Sequence, residues 1–137
     1  MPQASTDEST ATLRVLVVDD CAALRHRVRA ALERAGLSVV GEAADGAQAL
    51  AQAAAQHPDV VLMDLNMPGM DGIEATVTLR RQQPETPVVL WTGEDDARLS
   101  SAIHRSGARA GLPKGTCTVD LVARLRGVCD AVAVARG

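Results

Sequence analysis

The chain has 137 residues, 47% hydrophobic and 23% charged, which are the proportions of one globular domain and not of a disordered chain. With 14 Lys and Arg against 17 Asp and Glu the net charge is −3, and no basic run offers a nucleic-acid surface. Cys21, Cys117 and Cys129 are too few and too far apart for a disulfide framework or a zinc site. No apolar stretch is long enough to span a membrane and no signal-peptide core is present, so a reducing, cytoplasmic setting is expected.

Residues 1–11 are small and polar and read as a disordered tail. Leu13–Val18 (LRVLVV) is apolar save for Arg14 and ends in Asp19 and Asp20, the pattern of a strand buried on both faces. In the helix that follows, Leu24, Val28, Ala31, Leu32 and Ala35 share one face, and Gly36 suits its C-terminus. A short strand over 38–43 leads to Asp45, a candidate N-cap for an Ala-rich helix over 46–56. Pro58 opens a third strand that ends at Asp64, and Asn66–Gly72 is dense in turn residues. A helix over about 73–82 should turn Ile73 and Val77 inward. The fourth strand is 87–91, followed by a loop from Thr92. The next helix presents Leu99, Ala102 and Ile103 and stops at Gly107. The last strand falls within 108–113. Beyond a loop at 114–117, Thr118 can cap a final helix that buries Val122, Leu125 and Cys129.

Five strands alternating with five helices imply a parallel sheet covered on both faces, and right-handed crossovers restrict it to a doubly wound α/β arrangement. In such sheets ligands bind beyond the carboxyl ends of the strands. Those ends carry Asp19 and Asp20, Asp64, Thr92 and Lys114. Any one of them alone reads best as a turn former or a solvated charge. Together, on adjacent strands, they form a chemical set. Three carboxylates in one crevice raise one another's pKa, a conflict that a hard cation such as Mg²⁺ removes. A nearby ammonium and hydroxyl suit a phosphoryl group.

With these residues the sequence resembles the receiver domain of two-component response regulators over about residues 13–133. The motifs are VLVVDD, VLMDLNMPGMDGIEA, LWTG and GLPKG, and DLNMPGMDG with PKGT looks most like the nitrate-regulator subfamily, which usually carries a helix-turn-helix output domain. The resemblance implies a flavodoxin-like sheet of strand order 2-1-3-4-5. It implies that Asp64 accepts a phosphoryl group from a sensor histidine kinase or phosphotransfer protein. Mg²⁺ would be held by Asp20 and Asp64, by Asp19 through water or as a further acidic partner, and by the carbonyl of Asn66. Lys114 would pair with the phosphoryl oxygens, Thr92 would hydrogen-bond to them, and Pro68 and Gly69 would shape the loop. Self-phosphorylation from small donors and autodephosphorylation are expected, but not turnover as an enzyme. Asn66 and Glu94 would tune attack by water. A homodimer is an optional partner state.

The family's aromatic on strand 5 is replaced by Gly111, expected to leave the backbone there more permissive. Gly115 stands where Pro is common, which leaves a cis peptide after Lys114 open. Two other readings are weighed. One is a receiver-like interaction module not regulated by phosphorylation. The other is a Mg²⁺-dependent aspartyl-phosphate phosphatase of the haloacid dehalogenase type, disfavoured because Asp19 and Asp20 are adjacent where that type has Asp-x-Asp. Dinucleotide binding is rejected, since residues 19–25 contain no Gly. The expected layout is a tail over 1–11, a domain over 12–133 and a short tail over 134–137. The few residues after the last helix are too short for a DNA-binding module. The chain is then either a stand-alone receiver or part of a longer regulator.

Overall fold

The apolar run that opens the fold feeds two cores at once. In β1 (Arg14–Val18), Val15 and Val17 point to one side and Leu16 and Val18 to the other, all four without exposed surface. Strands buried on both faces lose the polar alternation of a half-exposed sheet, and β3 (Val60–Asp64) and β4 (Val88–Thr92) follow the same rule. The computed structural model describes residues 12–93 and 95–136. The expected tail over 1–11, Glu94 and Gly137 lie outside them.

Among the described residues, β2 (Ser38–Ala43) and β5 (Ala110–Pro113) complete one five-stranded parallel sheet of order β2-β1-β3-β4-β5. Helix α1 (Ala22–Arg34) and α5 (Thr118–Arg136) cover the face carrying Val15, Leu62 and Trp91. Helices α2 (Gly46–Gln56), α3 (Gly72–Gln82) and α4 (Asp96–Ser106) cover the face carrying Leu16, Met63 and Leu90. This is the doubly wound, flavodoxin-like fold expected. No helix among the described residues is long and apolar enough to cross a membrane.

The helix ends obey local rules. Asp45, Asp71 and Asp95 each accept a hydrogen bond from the N–H three residues on, at the starts of α2, α3 and α4. Of these only Asp45 is anticipated. Gly36 and Gly107 follow α1 and α4 with positive φ, as anticipated.

The structure corrects several details. Ala35 is an exposed C-cap, not part of the buried face of α1. In α3 the fully buried residues are Ala75, Thr76 and Leu79; Ile73 packs against the core as expected but is only half-buried, and Val77 is half-buried away from it. Thr118 is the first residue of α5 and not its cap, since Leu121 N–H donates to the Cys117 carbonyl. Leu121, Leu125, Val128 and Val132 form the buried stripe of α5, with Val122 and Cys129 half-buried. That helix continues to Arg136, so residues 134–136 are helical where a tail is expected. No cis peptide occurs among the described residues, which makes the Lys114–Gly115 bond trans.

Candidate functional site

The carboxyl ends of β1 and β3 hold their acids by the same local device. Asp19 Oδ1 accepts from Cys21 N–H at 2.8 Å, and Asp64 Oδ1 accepts from Asn66 N–H at 3.2 Å. An Asp bonded to the backbone two residues on fixes its own carboxylate as it ends the strand. Both side chains are buried, while Asp20 is exposed. Ligand atoms from Asp19, Asp20 and Asp64 lie within 4.8 Å of one another.

Lys114 closes the site from the end of β5. Its N–H donates to the Thr92 carbonyl at 2.8 Å, which ties the β5 loop to the end of β4. Its ammonium lies 2.8 Å from Asp19 Oδ2 and 3.3 Å from Asp64 Oδ1. Thr92 is fully buried at the end of β4. Asn66 is exposed beside the acid it supports, and Pro68 and Gly69 lie in the exposed loop before α3, Gly69 with φ of 75°. The structure therefore gathers Asp19, Asp20, Asp64 and Lys114, with the backbones of Thr92 and Asn66 tied to Lys114 and Asp64.

The electrostatics follow from burial. Asp64 is pushed up from 3.8 to about 6, first by burial and then by the charge of Asp19, against the pull of Lys114 and the Asn66 N–H. Burial works to lower the Lys114 ammonium, but Asp19 and Asp64 outweigh it and leave the group raised. Asp64 Oδ2 is buried and has no hydrogen-bond partner among the described residues. An anionic oxygen in that position is costly unless a cation or proton meets it. The donor set, all carboxylate oxygen with one atom unmet, fits a hard divalent ion.

Two side chains that brace the site escape the sequence reading. Arg25 donates to the Asp19 carbonyl at 2.7 Å and to Glu42 Oε1 at 3.0 Å, bracing the end of β1 from α1. Glu42 also accepts from Arg29 at 2.9 Å. The available signal was a charged residue inside the apolar strand SVVGEA, next to a helix with Arg at 25, 27 and 29.

Gly111 leaves no open space where a side chain would stand. A Cβ built there would stand 2.6 Å from Leu99 Cδ1 and 2.8 Å from Ile103 Cδ1. Side chains of α4 fill the space against β5. Open room exists instead at Gly93 and Gly115, where nothing lies within 4 Å of a Cβ. Trp91 is buried with Leu112 and Leu125 on the α1/α5 side of the sheet, facing away from α4. His26, His57 and His104 form no cluster with metal-ligand geometry among the described residues.

An acidic cluster closed by a lysine at the carboxyl ends of a 2-1-3-4-5 sheet is the arrangement of a receiver. The model of the response regulator receiver domain matches residues 15–126, and the chain belongs to that family. It is 45% identical over 105 residues to a protein-glutamate methylesterase/protein-glutamine glutaminase of Alkalilimnicola ehrlichii, covering 74% of this chain and 27% of that protein. It is 38% identical over 115 residues to the response regulator GacA of Pseudomonas viridiflava, covering 83% of this chain and 54% of GacA. Among solved structures it is similar to the signal receiver domain assigned to NarL of Mycobacterium tuberculosis, with 34% identity, a TM-score of 0.77 and coverage of 90% and 98% of the two chains. The chain thus spans about a quarter to a half of the curated relatives it matches.

Proposed function

We propose that this receiver takes a phosphoryl group onto Asp64 from a phosphohistidine of a sensor kinase or phosphotransfer protein, with Mg²⁺ bound beside it. The observation that carries the reading is the convergence of Asp19, Asp20, Asp64 and Lys114 within one crevice. An ionised Asp64 oxygen forms the new P–O bond as the P–N bond to histidine breaks, and the imidazole nitrogen keeps the electron pair. Lys114 neutralises charge on the phosphoryl oxygens, and the Thr92 hydroxyl donates to one of them. Asp20 and Asp64 have carboxylate oxygen to offer a metal directly, whereas Asp19 is engaged by Cys21 N–H and Lys114 and acts as the further acidic partner. Asn66 contributes its carbonyl. Bound Mg²⁺ supplies positive charge that offsets the carboxylates and polarises the phosphoryl group. The phosphorylated state changes a surface read by a partner or by a further domain.

The test is incubation with acetyl phosphate and Mg²⁺, followed by intact mass and hydroxylamine lability. A single labile phosphate is expected, absent from Asp64→Ala. The same gain and rate in Asp64→Ala would place the acceptor elsewhere.

A further inference from the structure

Asp20 is the exposed member of the acidic cluster, and it forms no hydrogen bond or ion pair among the described residues. Nothing grips its side chain, so its aim rests on its backbone. Two planar peptide groups flank it, and once both are held its φ and ψ have little freedom. The group after it is held at the Cys21 N–H, which donates to Asp19 Oδ1 at 2.8 Å. The group before it is held at the Asp19 carbonyl, which accepts from Arg25 Nη1 at 2.7 Å. The Asp19 N–H still bonds to the Ala43 carbonyl of β2 at 3.0 Å. Its carbonyl stands where the chain leaves the sheet, and there a side chain takes over from the strand ladder.

Arg25 is itself fixed. Its Nε donates to Glu42 Oε1 at 3.0 Å, both side chains are largely buried, and Arg29 holds the other Glu42 oxygen at 2.9 Å. A guanidinium is planar, so anchoring Nε on β2 sets the direction of Nη1. The ordinary role of such a pair is to pin a helix to a sheet, and Arg29 already serves it. The bond to the Asp19 carbonyl is what Arg25 adds.

We propose that Arg25 is a positioning residue for the metal: by holding the Asp19–Asp20 peptide it aims the Asp20 carboxylate at the oxygen cluster and so sets the affinity for Mg²⁺. The inference rests on the Mg²⁺ reading of the site made above. Charge alone predicts the opposite sign, because deleting a cation beside three carboxylates should strengthen binding of another cation.

Calorimetric titration of the full chain with Mg²⁺ tests this. Arg25→Met, which keeps an apolar stem, should raise the Kd about tenfold, the low end of the loss when a group that orients a metal ligand is removed. With acetyl phosphate, the Mg²⁺ concentration for half-maximal labelling should rise alike, while the rate at saturating Mg²⁺ matches wild type. Arg29→Met loses an ion pair to the same glutamate but no contact with Asp19, and its Kd should stay that of wild type. Arg25→Lys keeps the charge without the planar fork. It should weaken binding to a lesser degree, and it serves where Arg25→Met does not fold. Unchanged or tighter binding in the Arg25 variants overturns the proposal. So does an equal loss in Arg29→Met, which traces the effect to the ion pairs. Wild type that binds no Mg²⁺ overturns the metal reading itself, and this inference with it.

Discussion

Lys114 sits closer to Asp19 than to the acid expected to carry the phosphoryl group: its ammonium is 2.8 Å from Asp19 Oδ2 and 3.3 Å from Asp64 Oδ1. In the resting protein the lysine is therefore a counter-ion for the acidic pair. Under the proposed function, a phosphoryl group on Asp64 is expected to draw it away from Asp19.

The first prediction concerns the metal. The acids repel in its absence, and an ion bound only to the folded state stabilises by RT ln(1 + [L]/Kd), about 2.7 kcal/mol at a hundredfold excess over Kd. Thermal melts should rise on adding millimolar-range Mg²⁺ after EDTA, and Asp20→Asn should blunt the rise. A melting point indifferent to Mg²⁺ argues against a metal site.

In EDTA, Asp64 makes stability depend on pH. Its folded value of about 6 exceeds the ordinary 3.8, so the fold favours the protonated acid. That contribution is full below 3.8 and is lost as pH rises through about 6. Asp64→Asn removes the dependence and should melt higher than wild type at neutral pH, with the gap closing in acid. Parallel melting curves across this window would contradict the assignment.

Glu42 behaves with the opposite sign. Burial works to raise it, but Arg29 and Arg25 prevail and hold it below 4.5. Its stabilisation is present above 4.5 and is lost as pH falls through the lowered value. Glu42→Gln should cost about 1 kcal/mol at neutral pH, the upper end for an ion-pair network of this exposure, and nothing in strong acid. Urea titrations at the two pH values read the difference.

Gly111→Ala drives a methyl group into Leu99 and Ile103 and should destabilise by about 1–3 kcal/mol. Leu99→Ala alone opens a cavity. Combined, the two should cost less than their separate effects added, because each relieves the other. Strict additivity in denaturant melts would show that α4 does not rest on Gly111.

The cysteines should divide by environment. Cys21 and Cys117 are exposed, while burial, with Asp59 and Asp130, pushes the Cys129 thiol up to about 11. A thiol reagent at neutral pH should consume Cys21 and Cys117 quickly and Cys129 only as the chain opens. Fast labelling of Cys129 in the native protein would mean that α5 frays.

Much of this was written plainly in the chain. Strands buried on both faces appear as unbroken apolar runs, and Asp19, Asp64, Thr92 and Lys114 announce themselves by ending such runs. Periodicity misled where helices meet more than one neighbour. In α3 the small Ala75 and Thr76 are fully buried where the larger Val77 is only half-buried, because distance to the sheet, not hydrophobicity, selects the inward residue; Ile73 packs inward as its periodicity suggests. The brace of Arg25, Glu42 and Arg29 was hidden because it joins a helix to the strand after it, a pairing that no local spacing encodes. The filled space at Gly111 was invisible for a related reason: a glycine states that a side chain is missing, not what takes its place.

Gly72 begins α3 so close to the acceptor strand that a Cβ on it would collide with the Asp64 carbonyl and come within 2.8 Å of Leu65 Cα. On the α2 side, a Cβ on Gly46 would meet Met70 at 2.9 Å. The two ends of the segment between Asp64 and α3 thus pack closely against neighbouring chain, while Pro68 and Gly69 in its middle stay exposed. Gly93 and Gly115, across the crevice, border open space. If the proposed function holds, Asp64 acts as an anvil: the group it receives has the close-packed start of α3 behind it, and the loops after β4 and β5 are where movement is expected.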